Sequence, residues 1–376
     1  MPQALKHPPL HLLMTTDTIG GVWTYSLDLA EALQAIGLRV TLAVIGPGPG
    51  TTQIDEATTV GIDLLQTGAA LDWLASGKNE VATTAEILGT LLIETQADIL
   101  QVHSPAYLAF QAYHAPSVAI MHSCTATWWE AVHGGYLPRD LTWREELVDT
   151  GLRNADVVVA PSHSFATAVA RRYKANRMVT VYNARRKPPA RVATRITGIP
   201  DGLFALTAGR LWDEAKSLST LDAAASLIAL PVYAAGSLTS PHSDGITLAA
   251  TRTLGALSAR EMRTLYGARP IFVSCAVYEP FGLSVLEAAQ AACPLVLSDI
   301  PTFRELWRDA AMFVPAREPF ALAQALNALA EDDVLRNRLA RASYARSQEF
   351  TTQQQASLMS AIYRCALFER MREAAE

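Results

Sequence analysis

Short apolar runs recur along this chain in two series, with helix-length segments between most of them. That repetition constrains the fold more than any other feature. The first series is LHLLMTTD, LRVTLAVIG, ADILQVHS, SVAIMHS, ADVVVAPS and MVTVYN. The second is LFALTAGR, LPVYAAG, ITLAATRTLG, RPIFVSC, CPLVLSD and AAMFVP. Continuous apolar strands with helical segments between them point to parallel sheets covered on both faces. Between the series lies ARRKPPARVATRITGIPDG, a Pro-, Gly- and Arg-rich crossover. The 376 residues, half of them apolar, exceed one ordinary core. The spacing therefore predicts an α/β unit over residues 1–185, a linker over 186–203 and a second α/β unit over 204–350. A helical segment, 351–376, follows; periodicity leaves open whether it packs back across the seam. Two such sheets facing each other leave their strand ends around a cleft, where ligands of these folds bind.

Charge narrows the choice of partners. The net charge of -5 disfavours nucleic acid. Residues 171–195 carry nine Arg and Lys and no acidic residue. That stretch suits an anionic acceptor or membrane phosphates, and equally a solvated basic face. The four cysteines form no CxxC pair, which fits a reducing compartment. MPQALKHPPLHLLM lacks the apolar run of a signal peptide, and no apolar stretch reaches the roughly 20 residues of a membrane span. The expectation is a soluble cytoplasmic protein, with peripheral contact at the inner face of a membrane left open. The oligomeric state is not legible.

RPIFVSCAVYEPFGLSVLEAAQAACPLVLSD reads as strand, loop, helix, strand. Pro280 suits a helix entrance and Gly282 permits close approach. A first helical turn over residues 281–285 would leave N–H groups free for a phosphate. Glu279 precedes the helix and Glu287 lies more than one turn inside it, so they can address different parts of one ligand. In LTAGRLWDEAKS, Arg210 sits just past a strand and Lys216 near the next helix start. A guanidinium fork and a mobile ammonium suit a diphosphate whose charge grows as a sugar departs. Each feature alone also reads as ordinary capping or surface charge.

GRLWDEAKS together with EPFGLSVLE resembles the retaining glycosyltransferases of family 4. The resemblance implies a GT-B fold: two facing Rossmann-like domains around an interdomain cleft, the sugar nucleotide held mainly by the second. It implies that Arg210 and Lys216 bind the diphosphate, that Glu287 binds ribose, and that Glu279 and the amides of Phe281, Gly282, Leu283 and Ser284 hold the donor sugar. The Gly20–Gly21 turn after the first strand resembles the family's glycine-rich loop; it is not a GxGxxG fingerprint, so a dehydrogenase is disfavoured. His122 resembles the family histidine that approaches the transferred sugar. Ala184 and Cys293 stand where that family often has Gly, and Arg185 with Arg186 makes the VYNARR loop unusually basic. Ser162 reads as a helix cap.

The expected reaction moves a hexosyl-type group from a nucleoside-diphosphate sugar, a UDP- or GDP-sugar being favoured, to a hydroxyl of a sugar, glycolipid or other small acceptor. No cofactor or metal is expected beyond the donor, since no convincing Asp-x-Asp or clustered His/Cys pattern occurs. Trp128, Trp129, His133, Tyr136 and Trp143 could line an acceptor cleft or pack internally. Two alternatives remain open: a GT-B-type nucleotide-sugar epimerase and a catalytically inactive nucleotide-sugar binder.

Overall fold

The computed structural model describes residues 9–175, 178–187, 202–239 and 245–375. Most of the linker expected at 186–203 lies outside the described residues, with Arg177, Arg191 and Arg195 of the basic stretch.

The described residues form two sheets. The first contains β1 (His11–Thr16), β2 (Arg39–Val44), β3 (Asp63–Gln66), β4 (Ile99–Val102), β5 (Ser117–Ile120), β6 (Val157–Ala160) and β7 (Met178–Thr180), ordered β3-β2-β1-β4-β5-β6-β7. The second contains β8 (Ala205–Ala208), β9 (Val232–Ala235), β10 (Arg252–Gly255), β11 (Ile271–Ser274), β12 (Leu295–Ser298) and β13 (Ala311–Val314), ordered β10-β9-β8-β11-β12-β13. Every neighbouring pair is parallel. Helices α1 (Gly21–Ala35), α2 (Thr51–Val60), α3 (Lys78–Thr95), α4 (Thr125–Val132), α5 (Thr142–Asn154) and α6 (His163–Tyr173) accompany the first sheet. Those following β8 are α7 (Leu218–Ala225), α8 (Ala259–Gly267), α9 (Leu283–Gln290), α10 (Pro301–Trp307), α11 (Pro319–Glu331), α12 (Asp333–Ser347) and α13 (Thr352–Ala375).

Strand β1 shows why its apolar run is unbroken. Leu13 packs with Leu88 and Leu100, while Leu12 and Met14 enter a separate core with Leu29 and Leu33. Both faces are buried, and each such side chain contributes about 1.5–3 kcal/mol. The order of each sheet reverses once, between β1 and β4 and between β8 and β11. Loops leaving the carboxyl ends of those strands border the crevices where this architecture binds ligands. Helix α13 returns to the first sheet: Ala356, Met359 and Tyr363 join the core around Leu29 and Leu33, and the Tyr363 hydroxyl donates to Gln101 Oε1 at 2.5 Å.

Two sequence expectations change. Strand β3 was not anticipated, because DLLQ is a short edge whose terminal Asp63 and Gln66 are exposed. ITLAATRTLG supplies only the four-residue edge strand β10. Its earlier residues are turned by Asp222, which accepts from the amides of Ala249, Ala250 and Thr251 at 2.8, 3.0 and 2.7 Å. Among the described residues of the basic stretch, acids from elsewhere pair with several of the side chains. Arg171 meets Glu130 at 3.2 Å, Arg172 meets Glu145 at 2.6 Å, and Arg186 meets Glu31 at 2.9 Å.

Candidate active site

The loop after β11 is tied down before α9 begins. The Val277 amide donates to Ala215 O at 2.8 Å, and Ser162 Oγ donates to Pro280 O at 2.8 Å. Ser162 also caps α6, accepting from the Phe165 amide at 3.2 Å. The capping role was legible; its bond to the opposite domain was not. Helix α9 starts at Leu283, two residues after the expected entrance. Gly282 takes φ +92° and ψ +71°, outside the helical region, and serves as its N-cap. A Cβ at Gly282 would sit 3.3 Å from Glu279, Phe303 and Val285 side-chain atoms. The Phe281 ring is buried in the core against Phe350, so only its backbone could face a ligand. No side chain caps the first turn of α9, which leaves amides available to an anion.

Arg210 and Lys216 reach this region from the loop after β8. Arg210 pairs with Asp213 at 3.0 Å, and its guanidinium lies 5.5 Å from the centre of the Trp212 ring. The Lys216 ammonium pairs with the Glu279 carboxylate. The Gly20–Gly21 turn faces both Arg210 and the start of α9. A Cβ at Gly20 would lie 3.5 Å from Arg210 Cδ, and one at Gly21 would lie 3.2 Å from Leu283 Cδ1. Gly20 itself has φ +90°. The structure thus juxtaposes Gly20, Gly21, Arg210 and Leu283, with Lys216 and Glu279 joined to each other. Ser284 follows in the first turn of α9, half-buried.

His122 follows β5 and packs against two other rings. Its centroid lies 4.5 Å from Tyr25 and 4.8 Å from His103, both edge-on. Burial pushes its pKa down to about 4, and His103 well below the ordinary value. His122 Nε2 is buried without a hydrogen-bond partner. No hydrogen bond joins the ring to Arg210, Lys216 or Glu279 among the described residues. The connection runs through the next turn instead: Ser123 Oγ and Thr127 Oγ1 lie 3.2 and 2.9 Å from the hydroxyl of Tyr278, the neighbour of Glu279.

Glu287 is engaged as well. Arg185 donates to its Oε1 at 2.8 Å, and the Tyr266 hydroxyl lies 3.4 Å from its Oε2. Other polar groups at the site escaped notice in the sequence. Asp213 accepts from Trp128 Nε1 at 3.0 Å, linking the domains. Asp17 follows β1, and burial pushes its carboxyl up to about 6 against the pull of the Ile19 amide and Arg210. Asp17 is a strand-end acid and was visible in TTD; nothing local to Asp213 signalled a tryptophan partner 85 residues away. Of the aromatic group, Trp129 packs on His133 with ring centres 4.2 Å apart and planes tilted by 40°, Arg144 covers Trp143 at 4.3 Å, and Tyr136 is 93% exposed. Among the described residues, no group of three or more His, Cys, Asp or Glu could hold a metal ion, and no helix is long and apolar enough to cross a membrane.

Comparison with known proteins extends the site to a family. Residues 19–185 match Glycosyltransferase Family 4, and residues 247–346 match Glycosyl transferases group 1. Together these matches take in the first sheet from β2 to β7, the second sheet from β10 to β13, the Gly20–Gly21 turn and the Glu279–Glu287 stretch; β1, β8, β9, Arg210 and Lys216 lie outside them. The chain belongs to the GT-B glycosyltransferases. As such an enzyme it transfers a sugar from a nucleoside-diphosphate sugar to an acceptor hydroxyl.

This glycosyltransferase is 27% identical over 349 residues to phosphatidyl-myo-inositol mannosyltransferase of Mycobacterium leprae, covering 86% of this chain and 87% of that protein. Its fold is similar to sucrose-phosphate synthase from Thermosynechococcus elongatus, with a TM-score of 0.74 and 18% identity over 98% of this chain and 100% of that one. Anabaena HepE in complex with UDP-glucose gives a TM-score of 0.72 at 17% identity, over 95% of this chain and 100% of that one. At such identities the structural likenesses establish the two-domain architecture. The glycosyltransferase departs from its family pattern at Cys293 without strain there: the neighbouring Ala292 takes the left-handed turn, at φ +59°.

Proposed function

We propose that this enzyme is a retaining hexosyltransferase using a UDP- or GDP-sugar, with the leaving diphosphate held where Arg210, Lys216 and the first turn of α9 surround the Gly20–Gly21 turn. The observation that carries this reading is the uncapped start of α9 beside a Gly–Gly turn, where a Cβ at Gly21 would press on Leu283 and Gly20 holds a φ of +90° within contact of Arg210. Arg210, Lys216 and the amides of Leu283 and Ser284 offset the charge that grows on the diphosphate as the bond from the sugar's anomeric carbon to phosphate breaks. The acceptor oxygen forms its bond to that carbon on the same face, and its proton passes to the departing phosphate oxygen. Glu279 binds the donor sugar and Glu287 the ribose. His122, neutral at pH 7, borders the transferred sugar. Residues 204–350 form the donor domain, and residues 1–185 the acceptor domain, joined by a linker at 186–203 and by the returning segment 351–376. A carbohydrate or glycolipid is the acceptor.

The unpaired cysteines, three of them buried, support a reducing, cytoplasmic setting. The outstanding ring of Tyr136 supports a peripheral contact at the inner face of a membrane.

The test is acceptor-dependent release of nucleoside diphosphate from a panel of UDP- and GDP-sugars, with the product's anomeric configuration read by NMR. Retention with an α-linked donor is expected. An inverted product would overturn the retaining mechanism, and isomerised donor formed without acceptor would make the protein an epimerase. Donor binding with no turnover across the acceptor panel would leave it a nucleotide-sugar binder.

A further inference from the structure

Arg185 is the one basic residue of the VYNARR loop that touches both domains among the described contacts. It emerges from the first sheet just after β7, where the chain leaves for the second domain. Its Nε donates to Glu287 Oε1 at 2.8 Å, and its NH1 donates to Asp28 Oδ2 at 2.5 Å. Asp28 lies on α1 and its side chain is fully buried. The Arg186 amide reaches Asp28 Oδ2 at 3.1 Å and Arg186 Nε reaches Oδ1 at 2.5 Å. On the other side, Gln290 Nε2 of α9 donates to the Arg185 carbonyl at 3.2 Å. The guanidinium is thus anchored in the first domain while it grips a carboxylate of the second.

The stoichiometry at Glu287 matters. An ionised carboxylate offers about four lone-pair sites. Arg185 takes one site on Oε1, and the Tyr266 hydroxyl is a long contact to Oε2. Sites on both oxygens remain for a vicinal diol. A planar guanidinium whose NH1 is held by Asp28 presents its Nε–H to Glu287 from a fixed direction, which a freely rotating ammonium cannot do.

We propose that Arg185 is a positioning residue for donor recognition: braced against Asp28, it orients Glu287 so that the carboxylate accepts from the ribose hydroxyls of the nucleoside diphosphate. This inference rests on the proposed role of Glu287. It adds a residue of the first domain's exit loop to a recognition element of the second, so ribose binding depends on the relative placement of the two domains.

The test compares affinities by calorimetry on the full chain, using UDP, GDP and ADP, each against its 2′,3′-dideoxy analogue. The ribose form should bind at least tenfold tighter to the wild type for whichever nucleotide binds best. Glu287→Gln should close that gap; a wild type without a gap, or a gap that survives Glu287→Gln, sinks the ribose reading and this inference with it. Arg185→Gln should also close the gap while changing affinity for the dideoxy analogue by less than twofold, a split that general damage to the fold would not produce. Asp28→Asn should narrow the gap about threefold, because Arg185 loses its brace. If Glu287→Gln closes the gap and Arg185→Gln leaves it intact, the ribose role stands and the positioning role falls. Tighter binding of the ribose form by Arg185→Gln would likewise overturn the proposal, since Arg185 would then be blocking Glu287. Should the neutral variant fail to fold, Arg185→Lys keeps a charge beside Asp28; its gap should narrow at least threefold, and an unchanged gap overturns the proposal.

Discussion

The two walls of the cleft are built from different materials. On the proposed donor wall, charged groups are held by opposite charges: Lys216 by Glu279, Arg210 by Asp213, and Glu287 by Arg185. On the wall formed by the first sheet, the partly buried His122 and His103 pack on the buried Tyr25, with desolvation holding both imidazoles neutral. The contrast separates two jobs. A wall of paired ions can re-partner when an anionic ligand arrives, at little cost in desolvation because the charges are already present. In the proposed reaction, a wall of neutral rings borders the sugar without adding charge there.

The sharpest way to break this comparison is Lys216→Ala, which removes a cation from the donor wall alone. Turnover should fall by about two to three orders of magnitude, as for other lost stabilisers of developing anionic charge, with the folded fraction unchanged by circular dichroism. A folded variant with normal kcat would place the leaving group's stabilisation elsewhere.

Asp17 stands at the border between the walls, and its titration sharpens the contrast. Its carboxyl is pushed up to about 6 from an ordinary 3.8 by burial. The folded state therefore binds its proton more tightly than the unfolded state. Its penalty is absent well below pH 4, grows as pH rises from 4 to 6, and is complete above. Asp17→Asn removes that penalty, so its stability advantage over the wild type should grow across this window to about 3 kcal/mol at most, from about 1.4 kcal/mol per pKa unit. Urea unfolding at pH 4 and pH 7 measures it. An advantage that is equal at the two pH values would show that Asp17 is not desolvated.

Ser162→Ala tests the joint between the walls. It removes both the α6 cap and the bond to Pro280 O, so a loss of about 1–2 kcal/mol is expected. A rise in donor KM should accompany it, because the loop before α9 loses an anchor. Normal donor KM would show that this loop is held adequately by the Val277 bond to Ala215.

The smallest effect concerns His122. Its pKa of about 4 lies below the ordinary 6.5, so it stays neutral over the working range. Stability from this group is fully present above pH 6.5 and is lost as pH falls towards 4. Between pH 5.5 and 8, the kcat/KM profiles of the wild type and His122→Asn should have the same shape, whatever their heights. A limb near 6.5 present only in the wild type would make His122 a titrating group.

Legibility in the sequence followed the same division. The two parallel sheets were readable because LHLLMTT and RPIFVSC are buried on both faces and carry no alternation. The edges β7 and β13 were also readable, in MVTVYN and AAMFVP, whereas β3 and the true extent of β10 were not, since DLLQ and RTLG are short and largely exposed. Arg210, Lys216, Glu279 and Glu287 could be picked out because each lies within a few residues of a strand end or helix start. Their partners could not all be named: the pairing of Arg185 with Asp28 spans 157 residues and depends on where α1 lies against the exit loop. The start of α9 shifted by two residues because a left-handed Gly282, rather than Pro280, sets the boundary. The neutrality of His122 depends on Tyr25 and His103, which only the folded sheet brings beside it.

A crystal structure with the intact donor sugar nucleotide bound tests the central claim most directly. The diphosphate oxygens should lie within hydrogen-bonding distance of the Arg210 guanidinium, the Lys216 ammonium and at least one amide of Leu283 or Ser284, with the Gly20–Gly21 turn against them. A donor whose phosphates lie away from all of these groups would contradict it.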